Sequence, residues 1–142
     1  MPYLLDTDHL TLLQKRSPRT KAFYRRIQGV SPDDIAVSIV SYQEQVLGWM
    51  AEVNAARSAE KIVECYERLN QLRVAFERMN VLDFDVAAQA RFELLRPQCR
   101  TVGTLDLRIA SIALTTNSIL LTRNTADFER VPDLQFEDWT IT

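Results

Sequence analysis

Short runs of consecutive apolar residues alternate along the chain with longer segments in which apolar residues recur every three or four positions. Short uninterrupted runs rich in Val, Ile and Leu are typical of buried strands. We therefore predict five strands, the last of them at a sheet edge, at residues 2–5, 35–40, 81–84, 119–122 and 134–136.

The segments between these runs have the periodicity of helices. The clearest lies between Ser58 and Met79, where the apolar residues form one stripe and most charged residues lie away from it. Together with a preceding helix that starts near Tyr42, it is predicted to form a hairpin that projects and could pack against a partner. Further helices are predicted at residues 10–27, with a break at Ser17–Pro18, and at residues 85–95, 104–113 and 124–129.

Strands that alternate with helices are typical of a parallel sheet with right-handed crossovers and helices on both faces. The predicted fold class is therefore α/β, a three-layer α/β/α domain with a mostly parallel sheet of four to five strands, and residues 1–142 are predicted to form one domain. Ligands of such sheets bind outside the carboxyl ends of the strands, so functional residues are expected at that edge.

Composition narrows the class of protein. A hydrophobic share of 46% and a charged share of 25% in 142 residues are typical of a globular protein with its own core. The only cysteines, Cys65 and Cys99, form no CxxC pair and His9 is the only histidine, which argues against a zinc site. The absence of a charged-then-apolar leader and of an apolar run of about 18 residues predicts a cytoplasmic protein with reduced thiols and no membrane span.

The charges are unevenly distributed, although the net charge of −2 argues against a generally basic nucleic-acid binder. A basic segment contains Lys15, Arg16, Arg19, Lys21, Arg25 and Arg26. Acids dominate from Asp127 to the C-terminus. This separation suits a phosphodiester substrate, whose phosphates must be held near carboxylates. A solvated helix face explains the basic segment more simply, and charge alone favours that interpretation.

Acidic residues follow the predicted strands, where each would reach the carboxyl edge of the sheet. Asp6 and Asp8 follow the first strand, Glu44 the second and Asp127 the fourth, while Asp106 lies at the start of a later helix. Carboxylates that share a pocket repel each other and need protons or a cation. Mg²⁺ or Mn²⁺, which prefer oxygen ligands, would bind there and activate a water molecule for hydrolysis of a phosphodiester.

Each of these acids also has a purely structural interpretation. Ser41 and Glu44 match a capping box. Asp106 and Asp127 lie in first helical turns, where acids interact favourably with the helix dipole. Asp8 is either an outer acid of the site or the cap of the next helix, and we favour the cap.

Four segments resemble the VapC-type toxins, small PIN-domain ribonucleases of bacterial toxin–antitoxin pairs. They are LLDTDHL, SIVSYQEQ, GTLDLRIASIA and LLTRNTADFERVPDLQFEDW, and they are spread over nearly the whole chain. The resemblance implies Mg²⁺-dependent endonucleolytic cleavage of RNA with water as the nucleophile. It also implies a homodimer, and neutralisation by a VapB-type antitoxin inserted near the acidic pocket.

The resemblance further implies roles for individual residues. Asp6, Glu44, Asp106 and Asp127 are the predicted catalytic residues. Asp6 and Asp106 are expected to bind the metal directly, and Glu44 to bind it or to orient the water. The metal's shell is completed by Asp127 or by Asn124, and the sequence leaves that choice open.

Four other residues are candidates for contact with the substrate. The hydroxyls of Thr7 and Ser41 could bond to carboxylates or to RNA, and Arg108 and Arg123 could hold RNA phosphates. Ordinary turn polarity and charge balance are the simpler interpretations of the same residues.

Two alternative functions remain open. The Asp6-Thr7-Asp8 segment also resembles the start of haloacid-dehalogenase-like phosphatases, in which the first Asp is a covalent nucleophile. That chemistry needs a downstream lysine, and none follows Lys61. The other alternative is a non-catalytic PIN-like module that only binds RNA or protein, against which the presence of all three central acids argues. The sequence does not identify the RNA.

Overall fold

The structure, a computed structural model, describes residues 2–15 and 17–141, apart from the side chain of Arg19. This part of the chain contains a five-stranded sheet in which neighbouring strands are parallel. The strands are β1 (Tyr3–Leu5), β2 (Ile35–Ser38), β3 (Val81–Leu82), β4 (Ile119–Leu121) and β5 (Phe136–Glu137). Their order is β3–β2–β1–β4–β5, which places β1 at the centre and β5 at an edge, as predicted.

Helices connect the strands and cover the sheet. They are α1 (Thr7–Gln14), α2 (Lys21–Gln28), α3 (Ile39–Ala55), α4 (Ala59–Glu77), α5 (Val86–Leu95), α6 (Thr104–Thr115) and α7 (Thr125–Phe128). The predicted break between the first two helices is confirmed, because a short 3₁₀ turn at Pro18–Thr20 separates them. Gly29 follows the last residue of α2 as its C-cap.

The central strand contributes to two separate apolar cores. Neighbouring residues of a strand point to opposite faces, and both Leu4 and Leu5 are 0% exposed. Leu4 packs in the core that contains Leu107 from α6, whereas Leu5 packs with Phe23 from α2 and Phe76 from α4. Apolar layers on both faces of a parallel sheet confirm the predicted three-layer α/β/α fold.

The predicted strand at residues 35–40 is two residues too long, and the predicted helix start near Tyr42 is too late. β2 ends at Ser38 and α3 begins at Ile39, because the Ser38 hydroxyl accepts the backbone N–H of Ser41 at 3.1 Å and caps the helix. Val40 is apolar because the helix buries it in the core. The predicted strands at 81–84 and 119–122 also end earlier, at Leu82 and Leu121, and the edge strand begins two residues later than predicted.

The predicted helical hairpin is confirmed, since α3 and α4 pack against each other. Several of its apolar side chains stay exposed, among them Leu47, Met50, Val63 and Tyr66. Exposed apolar side chains gathered on one element are typical of surfaces that contact other proteins.

Two other expectations concern cysteines and membranes. Cys65 and Cys99 are buried and form no disulfide, as predicted. In the part of the chain described here, no helix combines the length and the apolar character needed to cross a bilayer.

Candidate active site

Asp6 lies where the central strand meets the first helix. Its backbone N–H donates to the carbonyl of Leu121 on β4 at 3.0 Å, which fixes the residue at the carboxyl edge of the sheet. Its Oδ1 accepts the backbone N–H of His9 at 2.9 Å, so Asp6 is the N-cap of α1. The prediction that Asp8 is the cap is therefore wrong. Asp8 lies in the first turn of α1 and is exposed.

Glu44 is tied to the first helix through a hydroxyl group. Thr7 Oγ1 donates to Glu44 Oε1 at 2.7 Å and lies 3.0 Å from Ser41 Oγ. The predicted capping box is wrong, because Ser38 caps α3 and Glu44 lies well inside the helix. Ser41 is 0% exposed, which corrects its prediction as a substrate contact. A hydroxyl with no exposed surface cannot reach RNA, and it supports Thr7 instead.

Asp106 carries the clearest electrostatic signature of the site. It lies in the first turn of α6, which begins after Gly103. Burial, which is the largest cause, and the nearby negative charges of Glu44, Asp6, Asp127 and Asp8, in that order of size, together raise the pKa of Asp106 to about 6. The other four carboxylates therefore lie close enough to Asp106 to act on it, in keeping with their positions after strands and at helix starts.

Asn124 and Asp127 lie beyond β4 and contact each other. The Asn124 side-chain amide donates to Asp127 Oδ2 at 2.9 Å, and the Asn124 backbone N–H donates to Thr122 Oγ1 at 3.0 Å. Asn124 thus holds the Asp127 carboxylate in one orientation. Asp127 is half-buried in the first turn of α7.

Among the described residues, no Lys or Arg side chain forms an ion pair with the carboxylates of this edge. Glu44, Asp106 and Asp127 form no ion pair with any residue in the described segments, and Asp6 pairs only with His9. Within residues 2–15 and 17–141, no three Asp, Glu, His or Cys side chains form a ready-made metal cage. Mg²⁺ needs no such cage, because it binds through one or two carboxylates and keeps several waters. The all-oxygen donor set and its uncompensated charge therefore fit a hydrated divalent cation.

The predicted phosphate-binding arginines lie in different surroundings. The Arg108 guanidinium lies over the Phe92 ring of α5, 5.4 Å from the ring centroid. Residues two apart on a helix do not face each other, so Arg108 is directed away from Asp106. Arg123 is exposed directly after β4, next to Asn124. Arg123 is thus the better placed of the two to meet a phosphate at the acidic edge.

Other cations of the basic segment contribute less. Arg26 pairs with Glu137 at 3.4 Å and lies 4.8 Å from the centroid of the Trp139 ring, so its charge is partly engaged. Arg16 and the side chain of Arg19 fall outside the described residues.

His9 contacts the site although the sequence interpretation gave it no role. The imidazole is 0% exposed, and its Nδ1 lies 3.4 Å from Asp6 Oδ1. The one available signal was spacing, because a residue three positions after a helix cap lies beside that cap in the first turn. The backbone N–H of Trp139 donates to the other ring nitrogen, Nε2. The sequence around His9 gives no indication of this contact.

Comparison with known proteins identifies relatives along the whole chain. The PIN domain family matches residues 3–134. Ribonuclease VapC1 of Haemophilus influenzae (strain R2866) is 33% identical over 141 residues, covering 99% of this chain and 99% of that relative. The tRNA(fMet)-specific endonuclease VapC of Shigella flexneri is 32% identical over 145 residues, again covering 99% of each chain.

Solved structures agree with these relatives. VapBC-1 from nontypeable Haemophilus influenzae has a TM-score of 0.73 and 29% identity, covering 99% of this chain and 100% of that chain. VapBC2 from Rickettsia felis, bound to a DNA fragment from their promoter, has a TM-score of 0.71 and 25% identity, covering 98% and 99%. These matches offer no support for the phosphatase alternative.

Proposed function

Because the chain belongs to the PIN domain family, and within it to the VapC ribonucleases, we propose that it is an endoribonuclease toxin that uses Mg²⁺ to cleave RNA. The observation that carries the proposal is the raised pKa of Asp106, which reflects its burial beside four other carboxylates. Those acids come from the start of α1, from α3 and from α7, elements far apart in the sequence. A catalytic metal site explains why such repulsion is kept at the open edge of the sheet.

The proposed mechanism assigns a role to each acid. A bound Mg²⁺ would polarise a phosphate oxygen and lower the pKa of a water molecule. Asp6 and Asp106 would hold the cation, with Asp6 fixed by its helix-capping bond. Glu44, which Thr7 orients through a hydrogen bond of 2.7 Å, positions the attacking water and receives its proton. Asp127, held by Asn124, completes the acidic rim.

Mg²⁺ is proposed over softer metals because the donors are carboxylate oxygens. Mn²⁺ has similar ligand preferences and is expected to substitute. RNA phosphates offer oxygen ligands of the kind that Mg²⁺ prefers. Exposed Arg123 then lies where it can contact a neighbouring phosphate.

The proposed partners are a VapB-type antitoxin and a second copy of the chain. The related structures from Haemophilus influenzae and Rickettsia felis are VapBC assemblies, and both match over nearly the whole chain. The exposed apolar side chains of the α3–α4 hairpin offer a surface for such contacts. We place this activity in the cytoplasm. The partnership is tested by co-expressing the chain with a VapB-type protein. We expect the two to co-purify and the complex to have lost RNA cleavage.

The test of the proposed function uses total bacterial RNA and purified protein with Mg²⁺. We expect discrete cleavage products from the wild type, no products with EDTA, and restored cleavage after addition of Mn²⁺. Asp6→Asn should abolish cleavage, whereas the control Asp33→Asn, which alters an exposed acid ahead of β2 at the opposite edge of the sheet, should not. Cleavage by Asp6→Asn at the wild-type rate, or cleavage that persists in EDTA, would contradict the proposal. RNA binding without cleavage at saturating Mg²⁺ would favour the non-catalytic alternative.

A further inference from the structure

His9 is enclosed between the proposed metal site and the C-terminal segment of the chain. Its imidazole is 0% exposed and meets the Phe23 ring edge-on, with centroids 5.4 Å apart. Its Nε2 accepts the backbone N–H of Trp139 at 3.3 Å. An imidazole so deeply buried and held from one side has a defined orientation.

The contact with Trp139 also defines where the imidazole carries its proton. A neutral imidazole has one donor nitrogen and one acceptor nitrogen. Because Nε2 accepts a backbone N–H, the proton lies on Nδ1. Nδ1 makes no hydrogen bond in the described segments, and Asp6 Oδ1 lies 3.4 Å from it. The only donor of the ring therefore lies beside the first acid of the site without a hydrogen-bond partner of its own.

From this geometry we propose that His9 is a positioning residue that fixes the Asp6 carboxylate for metal binding. The proposal rests on the proposed metal-dependent function. The backbone N–H of His9 already donates to Asp6 Oδ1 at 2.9 Å, and Nδ1 approaches the same oxygen. The backbone bond and the nearby buried imidazole together favour one orientation of the carboxylate, which would leave Oδ2 for a ligand.

The contact between the two side chains is electrostatic in character. A separation of 3.4 Å is longer than a strong hydrogen bond. The side chains of His9 and Asp6 are only 0% and 7% exposed, so little water screens the interaction. Groups that support metal-binding carboxylates in this way typically change metal affinity or activity about 10–100-fold when removed.

The C-terminal segment forms the outer end of the same arrangement. Trp139 is buried, its indole N–H donates to Glu137 Oε1 at 3.0 Å, and its ring lies 4.7 Å from that of Tyr3. Asp138 Oδ1 lies 3.8 Å from His9 Nε2 and accepts the backbone N–H of Thr140 at 2.8 Å. Residues after β5 therefore contact the imidazole of His9, which in turn lies beside Asp6.

Two substitutions of His9 separate positioning from packing. In His9→Asn the amide nitrogen takes approximately the place of Nδ1, which keeps the donor to Asp6 and loses the acceptor for Trp139. In His9→Gln the amide oxygen takes approximately the place of Nε2, which keeps that acceptor and loses the donor to Asp6. Both remove the ring that packs on Phe23, so each serves as the control for the other.

The readouts are the Mn²⁺ dissociation constant without RNA, the melting temperature, and kcat and KM for RNA cleavage. We expect His9→Gln to weaken Mn²⁺ binding about tenfold and to lower kcat by a similar factor, with KM unchanged. His9→Asn should stay within about threefold of the wild type in both quantities. Equal loss in the two variants, or Mn²⁺ affinity that simply follows the melting temperature, overturns the positioning role and leaves His9 as a core residue.

A measurement on the wild-type protein covers the case in which neither variant folds. His9 is the only histidine in the chain, so its imidazole ¹⁵N resonances are assigned without ambiguity. We expect Nδ1 to be the protonated nitrogen in the metal-free protein at neutral pH. Protonation on Nε2 alone would overturn the proposal, because Nδ1 would then have no proton to direct at Asp6.

Failure of this inference is distinct from failure of the proposed function. If the wild type cleaves RNA and Asp6→Asn does not, while both His9 variants match the wild type, only the positioning role is lost. If the wild type binds no Mn²⁺ and Asp6→Asn behaves identically to it, the metal-dependent function is lost, and the role of His9 with it.

Discussion

Thr7 Oγ1 donates a hydrogen bond to Glu44 Oε1 at 2.7 Å and so joins the start of α1 to α3 across 37 residues. A hydroxyl that donates to a carboxylate forms a charge-assisted bond, which is shorter and stronger than a neutral one. The Thr7 hydroxyl therefore orients the proposed water-positioning acid, beside the Asp6 that caps the same helix.

Replacement of this hydroxyl should lower catalysis more than stability. Thr7→Val keeps the shape of the side chain and removes the donor to Glu44, so we expect kcat for RNA cleavage to fall about 10–100-fold. The free energy of unfolding should fall by about 1–2 kcal/mol. Thr11→Val is the matched control, because the Thr11 hydroxyl only bonds the Thr7 carbonyl one turn earlier. Similar kcat values for the two variants would show that Glu44 does not depend on Thr7.

The raised pKa of Asp106 predicts that this carboxylate destabilises the metal-free fold. A carboxyl group whose pKa is higher in the folded state binds its proton more tightly there, so it destabilises the fold only where it is ionised. For Asp106 the loss of stability is absent well below pH 4 and complete above the folded pKa of about 6. Asp106→Asn should therefore stabilise the protein in EDTA by about 1–2 kcal/mol at pH 8, allowing for solvent screening. The gain should shrink towards pH 4, and urea unfolding at the two pH values measures it.

The same Asp106→Asn variant should have lost RNA cleavage despite its greater stability. Asp33→Asn, which alters an exposed acid ahead of β2, should change neither activity nor stability. A variant at Asp106 that is less stable than the wild type at pH 8 would mean that this carboxylate makes favourable contacts instead of repulsive ones.

The hydrogen bond between Asn124 and Asp127 predicts which of their substitutions lowers kcat more. If Asp127 acts on the metal side and Asn124 orients it, Asp127→Asn should reduce kcat by more than Asn124→Ala, for which we expect about a tenfold loss. The double variant should be no worse than Asp127→Asn alone, since residues in one network are not additive. Single-turnover cleavage rates measure this, and a reversed order would identify Asn124 as the group on the metal side.

The fold could be predicted from the sequence because buried elements have a simple pattern of apolar residues. Strands covered on both faces are continuously apolar, as Leu4 and Leu5 show, and the alternation with helices restricts the topology. The proximity of the acids could be predicted from the sequence for a related reason. Parallel strands end at one edge, so residues that follow them along the chain meet in space.

Side-chain contacts were harder to predict from the sequence. The apolar run at residues 35–40 passes from strand to helix without a change in composition, and the boundary depends on the bond from Ser38 to the backbone N–H of Ser41. The capping box predicted for Ser41 and Glu44 is not formed, because Ser38 caps the helix and α3 therefore starts at Ile39. The role of His9 depends on Trp139, 130 residues away, and a contact of that separation leaves no local periodicity.

The central claim is that the carboxylates at the carboxyl edge hold a divalent cation. Anomalous diffraction from crystals soaked in Mn²⁺ tests it most directly. We predict one strong Mn²⁺ peak in contact with the carboxylates of Asp6 and Asp106, which is absent from crystals of Asp106→Asn. A peak located elsewhere, or no peak at this edge at saturating Mn²⁺, would contradict the account.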